Sequence, residues 1–306
     1  MERKVIVITG PTCSGKTYLS IKVAEKLNTE IISADSRQLY KYLNIGTAKP
    51  SHQELKKVKH HLIDCFEPDK DYSASKFEND ALNIIEKIFV ENKIPVVVGG
   101  SGLYIKSLVD GIFDTVDKDE EYREELLQIR KEKANEALYE LLKKVDPESA
   151  EKMIPQNWKR IIRALEVYKL SGKKIGELQK EYSRENNIEF VQYALDWDRK
   201  ILYENIEKRV DEMIEQGLIE ETKNILAKSF DENINALNTV GYKEIISYLK
   251  NEITLERAVE LIKRNTRRFA KRQMTWFRKD KRIIWLNVKS AEDLDVFAEK
   301  ITKDFL

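Results

Sequence analysis

Apolar positions follow two rhythms along the chain. Val5 to Ile8 form a short continuous apolar run, and beyond a glycine-bearing segment Leu19, Val23 and Leu27 recur at helical spacing. Ile31 and Ile32 repeat the short-run form and lead to Asp35. Tyr72 to Val90 reads as a helix, and "KIPVVVGG" reads as a buried parallel strand that breaks at Gly99 and Gly100. Short apolar strands alternating with helices predict an α/β fold with a doubly wound parallel sheet, in which ligands collect at the carboxyl ends of the strands. The segment from Gly10 to Thr17, Asp35 and Ser101 all stand at such ends, so three distant stretches are expected to converge.

From about residue 115 the strand signal disappears. "DEEYREELLQIRKEKANEALYELLKKV" and "NWKRIIRALEVYKLSG" are helical, the second with an apolar stripe of Ile161, Ile162, Leu165 and Tyr168 and with Gly172 as its C-terminal stop. "FVQYALDW" marks a return to the sheet near residue 190. The organisation expected is therefore a core at 1–114, a helical insertion domain at 115–190, and core completion with basic C-terminal helices at 191–306, the last third being read as helical.

Composition narrows the classes. The 306 residues are 42% hydrophobic and 35% charged, enough for a substantial core, with a net charge of only +1. Any affinity for a polyanion must come from segregated charge. Such a segment exists: between Lys263 and Arg282 there are ten Lys or Arg residues against one acid, Asp280, with Phe269, Trp276 and Phe277 interleaved. The two cysteines, Cys13 and Cys65, fit neither a disulfide framework nor a zinc spacing, which suits a reducing cytoplasmic setting. No apolar run is long enough to span a bilayer, and no signal peptide is evident. His52, His60 and His61 are read as exposed or structural, not as metal ligands.

Gly10-Pro11-Thr12-Cys13-Ser14-Gly15-Lys16-Thr17 fits G-x-x-x-x-G-K-[ST] at every specified position, between a strand and a helix. In such a P-loop, glycines let successive amides point at one anion, the lysine adds charge, and the Thr17 hydroxyl can ligate Mg²⁺. Triphosphate hydrolases usually add a second carboxylate at the end of an apolar strand. Here the strand at Val96 to Val98 ends in Gly99-Gly100-Ser101 and supplies none. The loop and Asp35 alone leave open a kinase of a nucleoside or small metabolite, and a passive RNA-binding module with a structural anion site.

A wider set of segments bears on that choice. "GPTCSGKT", "ADSRQLYKYLNIGTAKP", "HHLID", "VVVGGSGLY", "KRIIRALEVY", "RVDEMIEQGLIEE", "TVGYKE" and "RRFAKRQMTWFR" stand in the order found in bacterial tRNA dimethylallyltransferases. The chain resembles that family from its first strand to about residue 285. The resemblance implies transfer of the dimethylallyl group of dimethylallyl diphosphate to N6 of the adenosine 3′ to the anticodon, giving N6-isopentenyladenosine and diphosphate. It implies that Gly10, Thr12, Cys13, Ser14, Gly15, Lys16 and Thr17 hold the donor diphosphate, with Arg209 as a further contact and Mg²⁺ on Thr17. Asp35 matches the general base, and Ser101 a hydroxyl that touches the amine or the diphosphate. The implied partner is the tRNA anticodon stem-loop, met by a monomer with no membrane involvement. Asp35, Ser36, Arg37, Gln38, Ser101, Arg123, Gln156, Asn157, Trp158, Lys159 and Arg160 match RNA contacts, and Arg267, Lys271 and Arg272 lie in the basic helices expected to grip phosphates.

The chain departs from the family pattern at four places. Ser101 stands where threonine is usual, keeping the hydroxyl without the methyl that stiffens its rotamer. Cys13 replaces a common alanine, either as a small packing residue or as a thiol activated by the helix N-terminus. Asn157 replaces an acid, and Asn205 an arginine.

Overall fold

In a computed structural model of the chain, residues 3–112, 119–181 and 187–306 are described. Among them six strands form one sheet: β1 Lys4–Thr9, β2 Ile31–Ser33, β3 His60–His61, β4 Val96–Gly99, β5 Glu189–Trp197 and β6 Ile284–Val288. Their order is β3-β2-β4-β1-β5-β6, and every pairing is parallel. β1 is central, with Thr9 opposite Gly99 of β4 on one side and Ala194 of β5 on the other. Continuous apolar runs suit this position, because Val5 to Ile8 and Val96 to Val98 are covered on both faces. The core beneath the sheet gathers Ile6, Ile8, Leu19, Val23, Val96 and Leu195.

The chain divides into two compact units, one comprising Met1–Val109 with Asn186–Leu306 and the other Asp110–Glu185. The second unit is the helical stretch that the sequence places at 115–190, and β5 starts at Glu189. The boundary expected between 114 and 115 lies outside the described residues.

Two elements differ from the sequence reading. The C-terminal third is not wholly helical: β6 adds an edge strand in which Leu286 and Val288 are buried alternately with exposed neighbours, followed by a helix at Asp293–Lys303. The helix expected from Tyr72 runs Ala74–Val90, because the Ser73 hydroxyl caps it by accepting from the Lys76 amide.

Within the helical unit, Leu126, Leu138, Leu142, Ile161, Ile162 and Leu165 make a separate core. The long helix Glu120–Val145 is broken at Ala134, whose φ is 62°. Leu126 and Leu138 would lie about a third of a turn apart on a straight helix, so the break re-aims the second half toward the same core. Gly172, with φ 68°, ends the Trp158–Ser171 helix as expected. His60 and His61 are half-buried, with His60 Nδ1 2.8 Å from the Val58 carbonyl and His61 Nε2 2.6 Å from Glu30. Both act in edge-strand structure.

Candidate active site

The phosphate loop leaves the carboxyl end of β1. Gly10 takes φ 142° and Gly15 φ 87°, backbone that side chains rarely adopt, and a Cβ on Gly15 would come 2.6 Å from Leu294. Gly15 also precedes the Lys16–Lys26 helix without any side-chain cap, so the first amides of that helix are open to an anion. Ser14 is 1% exposed and its hydroxyl has no protein partner. An uncompensated buried hydroxyl beside free amides fits a loop shaped to close on phosphate oxygens.

Lys16 Nζ donates to the Pro11 carbonyl at 2.6 Å. Burial strips water from the ammonium and lowers its pKa to about 8; the Asp35 carboxylate opposes this and Arg209 adds to it. Cys13 packs with Leu202, Ile206 and Ala270. Burial pushes its thiol up, outweighing the Thr12 hydrogen bond and the nearby cations. That direction and the apolar neighbours favour the small packing residue over the activated thiol.

β2 delivers Asp35. Its Oδ1 accepts from the Arg37 amide at 2.8 Å and more weakly from Gln38 at 3.4 Å, which fixes the carboxyl plane and leaves Oδ2 unbonded. β4 delivers Ser101. Gly99 is required just before it, because a Cβ there would stand 2.1 Å from the Ala34 carbonyl oxygen. With that close approach allowed, the Ala34 amide donates to Val98 and the Ser101 amide to Ala34. The Ser101 hydroxyl is held by the Ser36 amide at 2.9 Å.

These elements line one cavity of about 610 Å³. Its wall includes Thr12 to Thr17, Asp35 to Gln38, Ser101, Arg209 and Arg272. Gly10, Arg267 and Lys271 do not line it. Gln38 is less available than expected, since its Nε2 donates to the carbonyls of Thr47 and Ala48 at 3.2 and 3.1 Å. Arg37 similarly donates to the Asn235 carbonyl at 2.7 Å.

The basic tract is partly neutralised from another helix. Lys263 pairs with Asp211 and Arg267 with Glu207, both at 2.7 Å, across to the Arg199–Glu215 helix. Lys271 and Arg272 remain exposed, and Phe269 is 40% exposed beside Arg272. Phe277 is core, and Trp276 is half-buried against Gly102.

In the helical unit, Gln156, Lys159 and Arg160 are exposed. Trp158 is half-buried with Arg130 over its ring at 4.0 Å, and the Asn157 side chain accepts from the Ile154 amide at 3.1 Å. Arg123 donates to Glu166, a fully buried carboxylate that also accepts from Arg163, each at 2.9 Å. Arg123 is thus a structural anchor, whatever else it touches.

Sequence reasoning missed two residues around the cavity. Gln273 is buried and bridges Thr12 and Gly100. Glu221 accepts from the amides of Asn44, Ile45 and Gly46 and from the Tyr242 hydroxyl, fixing the wall loop. Their presence inside quoted motifs was the available signal, but side-chain direction was not.

Comparison with known proteins adds the family. A family model described as IPP transferase matches residues 38–280. A tRNA dimethylallyltransferase of Alkaliphilus oremlandii is 45% identical over 306 residues, covering 100% of this chain and 98% of that protein. That of Acetivibrio thermocellus is 48% identical over 303 residues, covering 98% and 95%. Among solved structures, the tRNA isopentenylpyrophosphate transferase of Bacillus halodurans is 37% identical with a TM-score of 0.72, covering 98% of this chain and 96% of that one. A eukaryotic dimethylallyltransferase acting on tRNA is 31% identical with a TM-score of 0.85, covering 99% and 79%.

Proposed function

The chain belongs to the IPP transferase family, and on that premise we propose that it moves the dimethylallyl group of dimethylallyl diphosphate onto N6 of the adenosine 3′ to the anticodon in tRNA. The observation that carries the reading is the meeting of the phosphate loop, Asp35 and Ser101 around one cavity. A kinase reading loses its ground with the family assignment.

An exocyclic adenine amine is a weak nucleophile, its lone pair being drawn into the ring. As N6 bonds to the allylic carbon, the carbon–oxygen bond to diphosphate breaks and the N6 proton passes to a base. Asp35 suits that role: Oδ1 is oriented by backbone amides while Oδ2 is free to receive the proton. Charge developing on the leaving diphosphate meets the open helix amides, the Ser14 hydroxyl, Lys16 and Arg209. Val210, Met213 and Ile262 on the same wall offer apolar cover for the five-carbon tail.

Among the described residues no group of three or more His, Cys, Asp or Glu forms a metal site. The Thr17 hydroxyl fits Mg²⁺ nonetheless, since that ion binds proteins through few groups and completes its shell with water and phosphate oxygens. Held there, it would neutralise charge on the diphosphate.

For the RNA, Lys271 and Arg272 supply phosphate contacts, and exposed Phe269 at the cavity wall offers a stacking surface for an extruded base. The exposed Gln156, Lys159 and Arg160 of the helical unit support a further contact face.

Labelled dimethylallyl diphosphate and unmodified tRNA, with ATP offered to the same tRNA in parallel, test the proposal. Label should reach the RNA from the prenyl donor alone. Consumption of ATP with an unalkylated nucleobase overturns it.

A further inference from the structure

Gln273 lies on the Leu255–Phe277 helix with 7% of its surface exposed. Both ends of its amide are used: Oε1 accepts the Thr12 N–H at 2.9 Å, and Nε2 donates to the Gly100 carbonyl at 2.9 Å. Thr12 belongs to the phosphate loop, and Gly100 immediately precedes Ser101. One planar side chain therefore spans the two halves of the site, the cradle for the leaving group and the turn that carries the hydroxyl.

The fit is close. A Cβ on Gly100 would stand 2.3 Å from Gln273 Nε2, and a Cβ on Gly102 would stand 2.3 Å from the Trp276 ring. Residues 273 and 276 are neighbours on one helix face, so that face is seated directly on the turn from Gly100 to Gly102. The contact needs an acceptor at one end and a donor at the other, which an amide supplies and a carboxylate or thioether does not.

We infer that Gln273 is a positioning residue for prenyl transfer, setting the separation between the phosphate loop and the Asp35–Ser101 pair. Transfer requires the base, the amine, the allylic carbon and the departing oxygen to be aligned, and small misplacements in such an array are costly. Gln273 acts through Thr12 and Gly100, and its kinetic consequence rests on the transfer reading above.

Two variants test it. Gln273→Met keeps the volume and removes both hydrogen bonds; kcat should fall about 30-fold, the scale of stranding two buried backbone groups, with the circular dichroism spectrum unchanged. Gln273→Glu keeps the shape but loses the donor, and burial raises the pKa of the introduced carboxyl. When protonated, that carboxyl again accepts from Thr12 and donates to Gly100. The ratio of Gln273→Glu to wild-type kcat/KM should therefore rise about tenfold from roughly pH 8 to roughly pH 6. A packing role predicts a flat ratio and a Gln273→Met enzyme within about twofold of wild type; either result overturns the inference. Should Gln273→Glu fail to fold, Gln273→Met decides alone. Calorimetry with inorganic diphosphate and Mg²⁺ separates the two levels of the argument. If wild type binds diphosphate but transfers no prenyl group, the functional reading fails, and the clamp is judged on affinity: weaker binding by Gln273→Met supports it, and equal binding overturns it.

Discussion

The Ser36 amide donates to the Ser101 hydroxyl oxygen across 2.9 Å, tying the end of β2 to the turn after β4. That bond fills an acceptor site on the oxygen and leaves the hydroxyl hydrogen to donate into the cavity. Ser101→Ala strands the Ser36 amide and removes the donor, and kcat should fall about 10- to 100-fold. Ser101→Thr keeps the hydroxyl and adds a stiffening methyl, so it should match or exceed the parent. An Ala variant with unaltered kcat in steady-state assays would remove Ser101 from the chemistry.

Asp35→Asn preserves an oxygen for the Arg37 amide but cannot take a proton. Its turnover should drop about 10²- to 10⁴-fold, the span of a lost general base, while tRNA affinity stays near the parent value. Single-turnover rates alongside filter binding separate the two quantities. Equal losses in both would make Asp35 a binding residue.

Much of this geometry was legible in the sequence, and the missing parts share a cause. The loop, Asp35 and Ser101 were readable because strand ends and glycines fix where backbone goes. β6 was overlooked although Ile284, Trp285, Leu286 and Val288 make a short apolar run, because the dense charge just before it drew the segment toward a helical reading. Gln273, Glu221 and Glu166 were not readable: a polar residue at helical spacing looks the same whether it faces water or a buried amide. The neutralisation of Arg267 by Glu207 depends equally on which helices lie side by side.

The Lys16 ammonium, lowered to about 8, makes donor binding pH-dependent. Bound diphosphate favours the charged form, so binding takes up a proton above that value and weakens as the free loop loses its charge. Calorimetric titrations of diphosphate in buffers of different ionisation enthalpy should show proton uptake that grows from about pH 7 to pH 9. Lys16→Met should lose the lysine's share of that uptake, the protons carried by diphosphate itself being common to both proteins. The sign for stability follows from the same depression: the unfolded chain holds the proton to higher pH, so the ligand-free protein gains stability as pH rises through this window.

Neutralising Lys271 and Arg272 together should lower the slope of log affinity for tRNA against log salt by about 1 to 2, because exposed cations release counterions when they meet phosphates. Arg267→Ala should change the slope less, its charge being already met by Glu207 at 2.7 Å. Equilibrium binding across a salt series checks both. A larger effect from Arg267 would show that the Glu207 pair opens on binding.

The helical unit has its own point of fragility. Glu166 is wholly buried, its Oε2 accepts from Arg123 and Arg163, and its Oε1 accepts the Asp119 amide at 3.1 Å. Removing one partner of a buried ion pair leaves the other desolvated and uncompensated, so Glu166→Ala should cost about 3–5 kcal/mol. Glu166→Gln keeps one acceptor and the side-chain volume and should cost less. The loss belongs first to the helices Glu120–Val145 and Trp158–Ser171, which the carboxylate and its two arginines join. Hydrogen exchange should quicken there before it does in β1 or β4. Arg123→Ala would then lower RNA affinity partly by loosening its own unit, and only a variant that restores protection without restoring affinity would assign Arg123 a direct contact.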